Sequence, residues 1–392
     1  MVCALALIGA ACGSSSDDKS SGGDSSGGSS GFSSPLKIVG FWEVQGESTV
    51  AISDFENAAQ MALADINDNG GVGGKDVEYE RVANPVLDEQ KSVSAYLKAL
   101  DADPSVVIGG GGSTNAISTQ VARGGVPLIS PDTNQNVEFG AKQGSDTMWL
   151  FSGGQAEGWQ DATKFAVQEL DAKKIGFMGY TFPFGAVART AVTAEAKKLG
   201  AEVVADEQIE LGGDDLTPAI LQMKGADIIF NASYQNDNAL QLRQTYQNAL
   251  GIPSMFQGGL TIAANQKLVE GPALEGSYAF TDCDPLGTSA DMTEFRDAYA
   301  KKYGSSPSYL SAVTWDLMHF TAEAAKVAKS SDAEKINAAI PKTSYDGICQ
   351  KDIHADKAHL MFHSPQILKF NGGGTWTSVK TYTDDDKTKG GS

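Results

Sequence analysis

At 392 residues, with 41% hydrophobic and 20% charged side chains, the chain has enough apolar material for two cores and the balance of a water-soluble globular protein. Its formal charge is −19, and only Asp17, Asp18, Asp24 and Lys19 are charged among the first 35 residues, so the acidity belongs to the folded body. With no Lys/Arg stripe to offset it, that charge excludes nucleic acid and anionic lipid headgroups as partners, and no later apolar run approaches the ~20 residues of a membrane span.

The chain opens on MVCALALIGAAC, apolar and closing in small residues before Cys12, and then changes abruptly to GSSSDDKSSGGDSSGGSSG. Residues 1–12 read as an export signal and 13–35 as a flexible Ser/Gly linker that cannot bury apolar surface. The arrangement resembles the lipobox of bacterial lipoproteins, which implies cleavage before Cys12, diacylglycerol on its sulfur and attachment to a membrane through that lipid anchor. Gly9 stands where that pattern usually has leucine and no positively charged segment precedes the run, so a start upstream of Met1 is expected. Cys3 falls in the signal, which leaves Cys283 and Cys349. In an exported chain a disulfide between them is favoured over two separate buried thiols, and it would close a loop of more than 60 residues.

From residue 36 short β-branched runs alternate with longer amphipathic stretches, the wiring of an α/β fold with largely parallel sheets. KIVGFW predicts a strand, DFENAAQMALADINDNGG a helix and VEYERV a second strand. A helix over 89–100, the strand SVVIGG, a helix after Ser113 and the strand VPLIS complete a first set. After MWLFSG a second set starts, with helices over 156–170, 186–199, 216–223 and 236–250 among the strands KIGFMGY, EVVADEQI, ADIIFNA, PSMFQ and GSYAF. Helices over 291–303, 309–329 and 332–340 follow, then the strand-like HLMFH and ILKFNG, and 384–392 form a solvated tail.

In VVIGGGGSTNAIS a glycine-rich turn follows a buried strand and opens a helix. Gly112 lets the backbone approach a ligand, while Ser113 and Thr114 offer hydroxyls at a positive helix end that favours a carboxylate; the alternative is that Ser113 merely caps the helix. The Lys-Ser/Thr ending and the glycine spacing of nucleotide-binding loops are missing, and no cofactor is expected. One strand later LISPDTNQN sets Asp132 and Thr133 beside this turn, since ligands in open α/β sheets gather beyond the carboxyl ends of strands. Trp42, between Phe41 and Glu43 at the exit of the first strand, gives an aromatic wall. Tyr180, Phe184, Tyr234 and Asp237 stand at equivalent ends in the second set. Each aromatic alone could equally be a core plug, but their shared placement marks the group as a ligand wall.

The stretch CQKDIHADKAHLMFH gathers Cys349, Asp352, His354, Asp356, His359 and His363 without the spacing of a closed zinc site, and no metal is expected. There is no Gly-x-Ser-x-Gly elbow or His-Glu-x-x-His, and no paired carboxylates or Ser/His pair converge on the strand ends, so binding rather than catalysis is expected.

Taken in order, these pieces resemble the leucine-binding-protein type (class I) of periplasmic solute-binding proteins, which feed branched-chain amino acid ABC transporters. The resemblance covers 36–383. It rests on GFWEVQGESTVAISDFENAAQMALADINDNGGVGGKDVEYE, on VVIGGGGSTNAIS with VPLISPDT, and on YTFPFGAVAR, ASYQNDNALQLRQTYQNALG and SYLSAVTWDLMHFTAEAA. It implies a clamshell of two Rossmann-like α/β lobes, 36–152 plus 285–342 and 153–284 plus 343–383, joined by three crossovers near 152–156, 280–286 and 341–348. An amino acid or similar small carboxylate or amide would be captured between them, its carboxylate held by the Ser113 and Thr133 loops and covered by Phe184 and Tyr234.

The resemblance further implies an extracytoplasmic monomer that hands its ligand to an ABC permease; the same clamshell also serves sensors that signal through a membrane partner. In QGGLT, Gly259 and Leu260 occupy the place where the family's amino-acid binders carry the acid that pairs with the ligand ammonium. Asp237 or Asp282 is then expected to substitute, or the ligand is not an ordinary α-amino acid. On the same alignment the Cys/His/Asp stretch falls on a surface hairpin of the second lobe.

Overall fold

The computed structural model describes residues 32–43, 49–85, 88–131, 146–181, 183–269, 271–361 and 364–382. Strand β1 (Lys37–Glu43) is apolar at nearly every position and buried on both faces, as a central parallel strand must be. After it come α1 (Thr49–Asp68), β2 (Glu78–Asn84), α2 (Glu89–Asp101), β3 (Val106–Gly109), α3 (Thr114–Gly124), β4 (Leu128–Ser130) and β5 (Met148–Leu150). The strands form a parallel sheet in the order β2-β1-β3-β4-β5, with Glu78, Glu80 and Arg81 facing solvent on the edge strand β2. The two-residue period of a strand sorts the core: Ile38, Trp42, Ile108 and Trp149 pack on one face and Val39, Phe41, Val107 and Leu150 on the other.

The second lobe repeats the plan with α4 (Gln155–Gln168), β6 (Lys174–Tyr180), α5 (Pro183–Lys198), β7 (Glu202–Ile209), α6 (Thr217–Gln222), β8 (Ile228–Ala232), α7 (Gln235–Gln247), β9 (Ser254–Gln257), α8 (Gly271–Leu274) and β10 (Tyr278–Thr281). The chain then returns to the first lobe as α9 (Ala290–Tyr303), α10 (Tyr309–Ala328), α11 (Ala333–Ala339) and the short pair β11 (Ser344–Tyr345) and β12 (Ile353–His354). Helix α10 starts at a reciprocal Ser308/Ser311 capping box and lays a mostly apolar face on α1. Finally β13 (Gln366–Phe370) and β14 (Trp376–Thr381) extend the second sheet antiparallel, giving the order β14-β13-β10-β9-β8-β6-β7.

Chain passages between the lobes fall after Leu150 and after Thr281. The expected passage at 341–348 is not one. Ile353 and Met361 are buried in the core beneath α1 and α10, with Tyr345, Ile348 and Cys349 packed against it, and Leu360 bridges to Leu150 of β5. Two long-range ties hold this segment: the buried Asp316 carboxylate on α10 accepts from the amides of Ile348 and Cys349 at 2.9 Å each, and Cys349 is joined to Cys283 in a disulfide. The chain therefore passes to the second lobe only between Met361 and Gln366, and the Cys/His/Asp stretch belongs to the first lobe through residue 361.

Each sheet reverses its strand order once. From β1 the chain goes one way to β2 and the other way to β3; from β6 it goes one way to β7 and the other to β8. Beyond the carboxyl ends of β1 and β3, and of β6 and β8, the connections leave in opposite directions and open a crevice.

Candidate functional site

At the first of these switch points the chain leaves β3 through Gly109, Gly110 and Gly111, with φ of 115°, 102° and 45°. Three successive residues in this region are feasible only for glycine, which is why the run is there. A one-turn 3-10 segment then leads to Thr114 and α3. The hydroxyls expected to face a ligand are turned inward. Ser113 is 1% exposed; its Oγ donates to the Gly110 carbonyl at 2.8 Å and accepts from Asn84 Nδ2 at 2.9 Å, while Thr114 Oγ1 donates to the Gly111 carbonyl. Ser113 does not cap the helix through its side chain either: it braces the glycine turn. Asn84, fully buried at the end of β2, donates also to the Gly110 carbonyl at 2.9 Å and is a loop-fixing residue that the sequence pattern did not single out.

Trp42 lies beneath α1, stacked on Phe55 with ring centroids 4.9 Å apart, and its Nε1 donates at 2.7 Å to the Tyr79 hydroxyl, which in turn donates to Glu56. It forms the floor of a small crevice completed by Phe41, Glu43, Phe55, the three glycines and Pro131. Gly112 belongs to the 3-10 turn; Asp132 and Thr133 lie outside the described residues.

The second switch point is aromatic. Tyr180 closes β6 and is buried; its hydroxyl donates to Asp237 Oδ2 at 2.5 Å and accepts from the Tyr234 amide at 3.0 Å, and the same aspartate oxygen accepts from the Gly212 amide at 3.1 Å. Burial, followed by the Asp237 hydrogen bond, raises the Tyr180 pKa far above the usual phenol value, so the ring stays protonated as this geometry requires. Tyr234 stands edge-on to Tyr180 at 5.4 Å and nearly parallel to Phe184 at 5.6 Å. Gln155, 2% exposed at the start of α4, donates to the Phe184 carbonyl at 2.9 Å, while its Oε1 is buried with no hydrogen-bond partner among the described residues. A polar side chain opening a helix gave no sequence signal for that role.

The acids expected to substitute in pairing with a ligand ammonium are engaged otherwise. Asp237 holds Tyr180 and Gly212, and Asp282 accepts from the Gly153 amide at 3.4 Å, tying the first two passages together. Leu260 is fully buried and Gly259 packs against Gln235, so the 257–261 loop offers no acid. Gly258 shows a contact between the lobes instead: a Cβ there would lie 2.5 Å from Thr281 Cγ2 and 3.0 Å from Cε1 of Tyr309, the first residue of α10. Sequence reasoning missed Tyr309 because the helix in which it sits reads as core.

Outside the switch points, no three potential metal ligands come together among the described residues. Cys349 is in the disulfide, His354 donates from Nδ1 to the Asp352 carbonyl at 2.7 Å, and His359 stacks on Trp149 at 3.8 Å while donating to the Met148 carbonyl at 2.7 Å; His363 lies outside the described residues. A groove of about 580 Å³ runs beside the disulfide between residues 284–292, the β11–β12 turn and the start of β14. It borders the antiparallel edge of the second sheet rather than the carboxyl ends of parallel strands, so the switch points remain the better ligand site.

Comparison with known proteins gives a family and a fold. The family model for periplasmic binding proteins matches residues 35–375. The Leu/Ile/Val-binding protein homolog 1 of Brucella suis is 24% identical over 301 residues, covering 75% of this chain and 78% of the relative. The crystal structure of the substrate-binding protein LivJ of a branched-chain amino acid transporter from Streptococcus pneumoniae, in complex with isoleucine, superposes with a TM-score of 0.77 at 23% identity, over 89% of this chain and 99% of that one. A solute-binding protein of an ABC transporter from R. palustris, in complex with benzoate, superposes equally well, with a TM-score of 0.77 at 17% identity, over 89% and 96%. No described helix is long and apolar enough to cross a membrane.

Proposed function

This chain belongs to the periplasmic binding protein family, and from that membership we propose that it is the extracytoplasmic solute receptor of an ABC importer, capturing an amino acid or a similar small carboxylate or amide between its lobes. The observation that carries this reading is topological. Each lobe has one switch point, with the glycine turn braced by Ser113 and Thr114 at one and Tyr180, Phe184, Tyr234 and Asp237 at the other. Two crevices of complementary character, joined by three chain passages, suit a clamshell in which the ligand stabilises the closed form by touching both sides. Among the described residues no group in either crevice is arranged to break a bond, and the reading is capture and release to a permease by a monomer. Cys12, outside the described residues, would carry the lipid that keeps the protein at the membrane, and Cys12→Ala should then release it into the soluble fraction.

Ligand binding to the folded state raises stability by RT ln(1 + [L]/Kd), about 2.7 kcal/mol at a hundredfold excess over Kd. Scanning calorimetry of the full chain with millimolar amino acids, small amides and aromatic acids should show a rise of several degrees with at least one of them. A melting temperature unmoved by the whole panel would sink the proposal.

A further inference from the structure

The groove beside the disulfide differs from the switch points in where it stands and in what lines it. Its walls come from both lobes: residues 284–292 and 347–351 of the first, and Gln366 with residues 376–378 of the second. At about 580 Å³ it falls within the roughly 300–1,000 Å³ of small-molecule sites. Leu286, Met292, Ile348 and Trp376 give it apolar surface, and Leu286 leaves 43% of its own area in water, which a covering molecule would remove.

One carboxylate in the wall is only half answered. Asp284 is 8% exposed, and its Oδ1 accepts from the Leu286 amide at 2.9 Å. Its Oδ2 has no hydrogen-bond partner among the described residues, yet is not sealed from solvent, so it is presented at the groove that Asp284 lines. Arg296 acts on it only from a distance: its guanidinium donates to the Pro285 and Gly287 carbonyls at 3.2 and 3.0 Å and forms no ion pair with Asp284. Burial raises the Asp284 pKa, the mark of a carboxylate short of compensating contacts. The other charges here are matched. Lys351 pairs with Asp291 at 3.0 Å, and the positive end of α9 already carries the Ser289 cap and Asp291.

An anion in the groove would meet the Asp284 charge, and a neutral apolar molecule would cover its oxygen without pairing it. An ammonium on an apolar body does neither: the N–H reaches a charged acceptor while the body covers the apolar wall, with the Trp376 ring of the kind that attracts cations. We propose that this groove is a second binding site, separate from the switch points, for a small organic ammonium with an apolar body, its charged end held by Asp284 and its body lying on Leu286, Met292, Ile348 and Trp376.

Titration calorimetry of the full chain with three probes of one shape tests this: 2-phenylethylamine, the neutral 2-phenylethanol and the anionic 3-phenylpropanoate. Wild type should bind the amine at millimolar concentration or below, the alcohol more weakly and the acid least. Asp284→Asn keeps an acceptor for the Leu286 amide and removes the charge; it should weaken the amine on the order of tenfold or more and leave the alcohol unchanged. Ser378→Trp, which fills the groove from the second lobe, should weaken amine and alcohol together, and it decides if Asp284→Asn does not fold. No binding of the amine at millimolar concentration, an alcohol or acid that binds as tightly as the amine, or an amine affinity that survives these substitutions would each overturn the proposal. None of these results bears on solute capture, which the amino-acid panel tests separately.

Discussion

The two lobes reach the site by the same topology and equip it differently. In the first, the strand ends carry a turn of three glycines braced from behind by Asn84, Ser113 and Thr114, with one carboxylate laid along it. In the second, they carry three aromatic rings pinned by a Tyr180–Asp237–Gly212 network. One lobe contributes backbone and charge; the other contributes shape. A strand-order reversal makes the crevice in either case, and what fills it is independent of the fold, which is how chains this dissimilar in sequence share an architecture.

Stabilisation differs between the lobes as well, and the largest effect expected comes from that difference. Among the described residues, only the first lobe holds a long excursion against its core through a disulfide, between residues 66 apart in sequence. Replacing Cys283 and Cys349 together with serine should remove about 4 kcal/mol in the chain-entropy model. Calorimetry separates the alternatives: if the lobes melt independently, only the first-lobe transition drops, whereas a common shift means that they unfold as one cooperative unit.

The same excursion gives the first lobe a pH response. Asp316 is fully buried, and burial, opposed only in part by its two amide hydrogen bonds, pushes its pKa up to about 7. The folded value lies above the ~4 of an unfolded aspartate, so the folded state keeps the proton longer. Stability from this group is full below about pH 4 and is lost as pH rises through about 7, by roughly 4 kcal/mol in all. Urea titrations at pH 5 and pH 8 should show first-lobe stability falling across that interval, and Asp316→Asn should flatten the slope. A first lobe whose stability rises over the same range would mean that the carboxylate is ionised in the fold.

In the second lobe the corresponding probe is Asp237→Ala. It strands the Tyr180 hydroxyl and the Gly212 amide, and about 2 kcal/mol of stability should be lost. Because Tyr180 also receives the Tyr234 amide, the ring pair should loosen and every ligand should weaken together. Loss confined to amine-bearing ligands would instead make Asp237 their partner.

Much of this was legible in the sequence wherever the information was local. β1 and β6 stand out as buried runs, the strand–helix alternation marks two largely parallel sheets, and the glycine run before Ser113 marks a strand-end turn. The third passage was not legible, because residues 343–361 are kept on the first lobe by a buried aspartate 32 positions upstream of Ile348, which leaves no periodic trace, and by the disulfide to Cys283, whose pairing the sequence suggested without showing which lobe it would tie. The direction of a hydroxyl is hidden for a similar reason. Residues that present Ser113 to a ligand and residues that turn it into the loop are the same letters; Asn84, 29 positions away, decides between them.

That decision leads to the smallest effect expected, and the one that most sharpens the contrast between the lobes. If the Ser113 hydroxyl grips a ligand carboxylate, Ser113→Ala should cost affinity about as much as any charge-assisted hydrogen bond, on the order of tenfold or more. If it braces the turn, the Gly110 carbonyl keeps the Asn84 side chain and the Ser113 amide as donors, and Asn84 keeps Gly110 as acceptor. The Ser113 hydroxyl's hydrogen bonds to Gly110 and from Asn84 are then lost, about 1–2 kcal/mol of first-lobe stability, and affinity for leucine should stay within about threefold. A small drop in melting temperature with an unchanged Kd places Ser113 in the scaffold. The reverse outcome, unchanged melting with tenfold weaker binding, would mean that the turn reopens its hydroxyl when a ligand arrives.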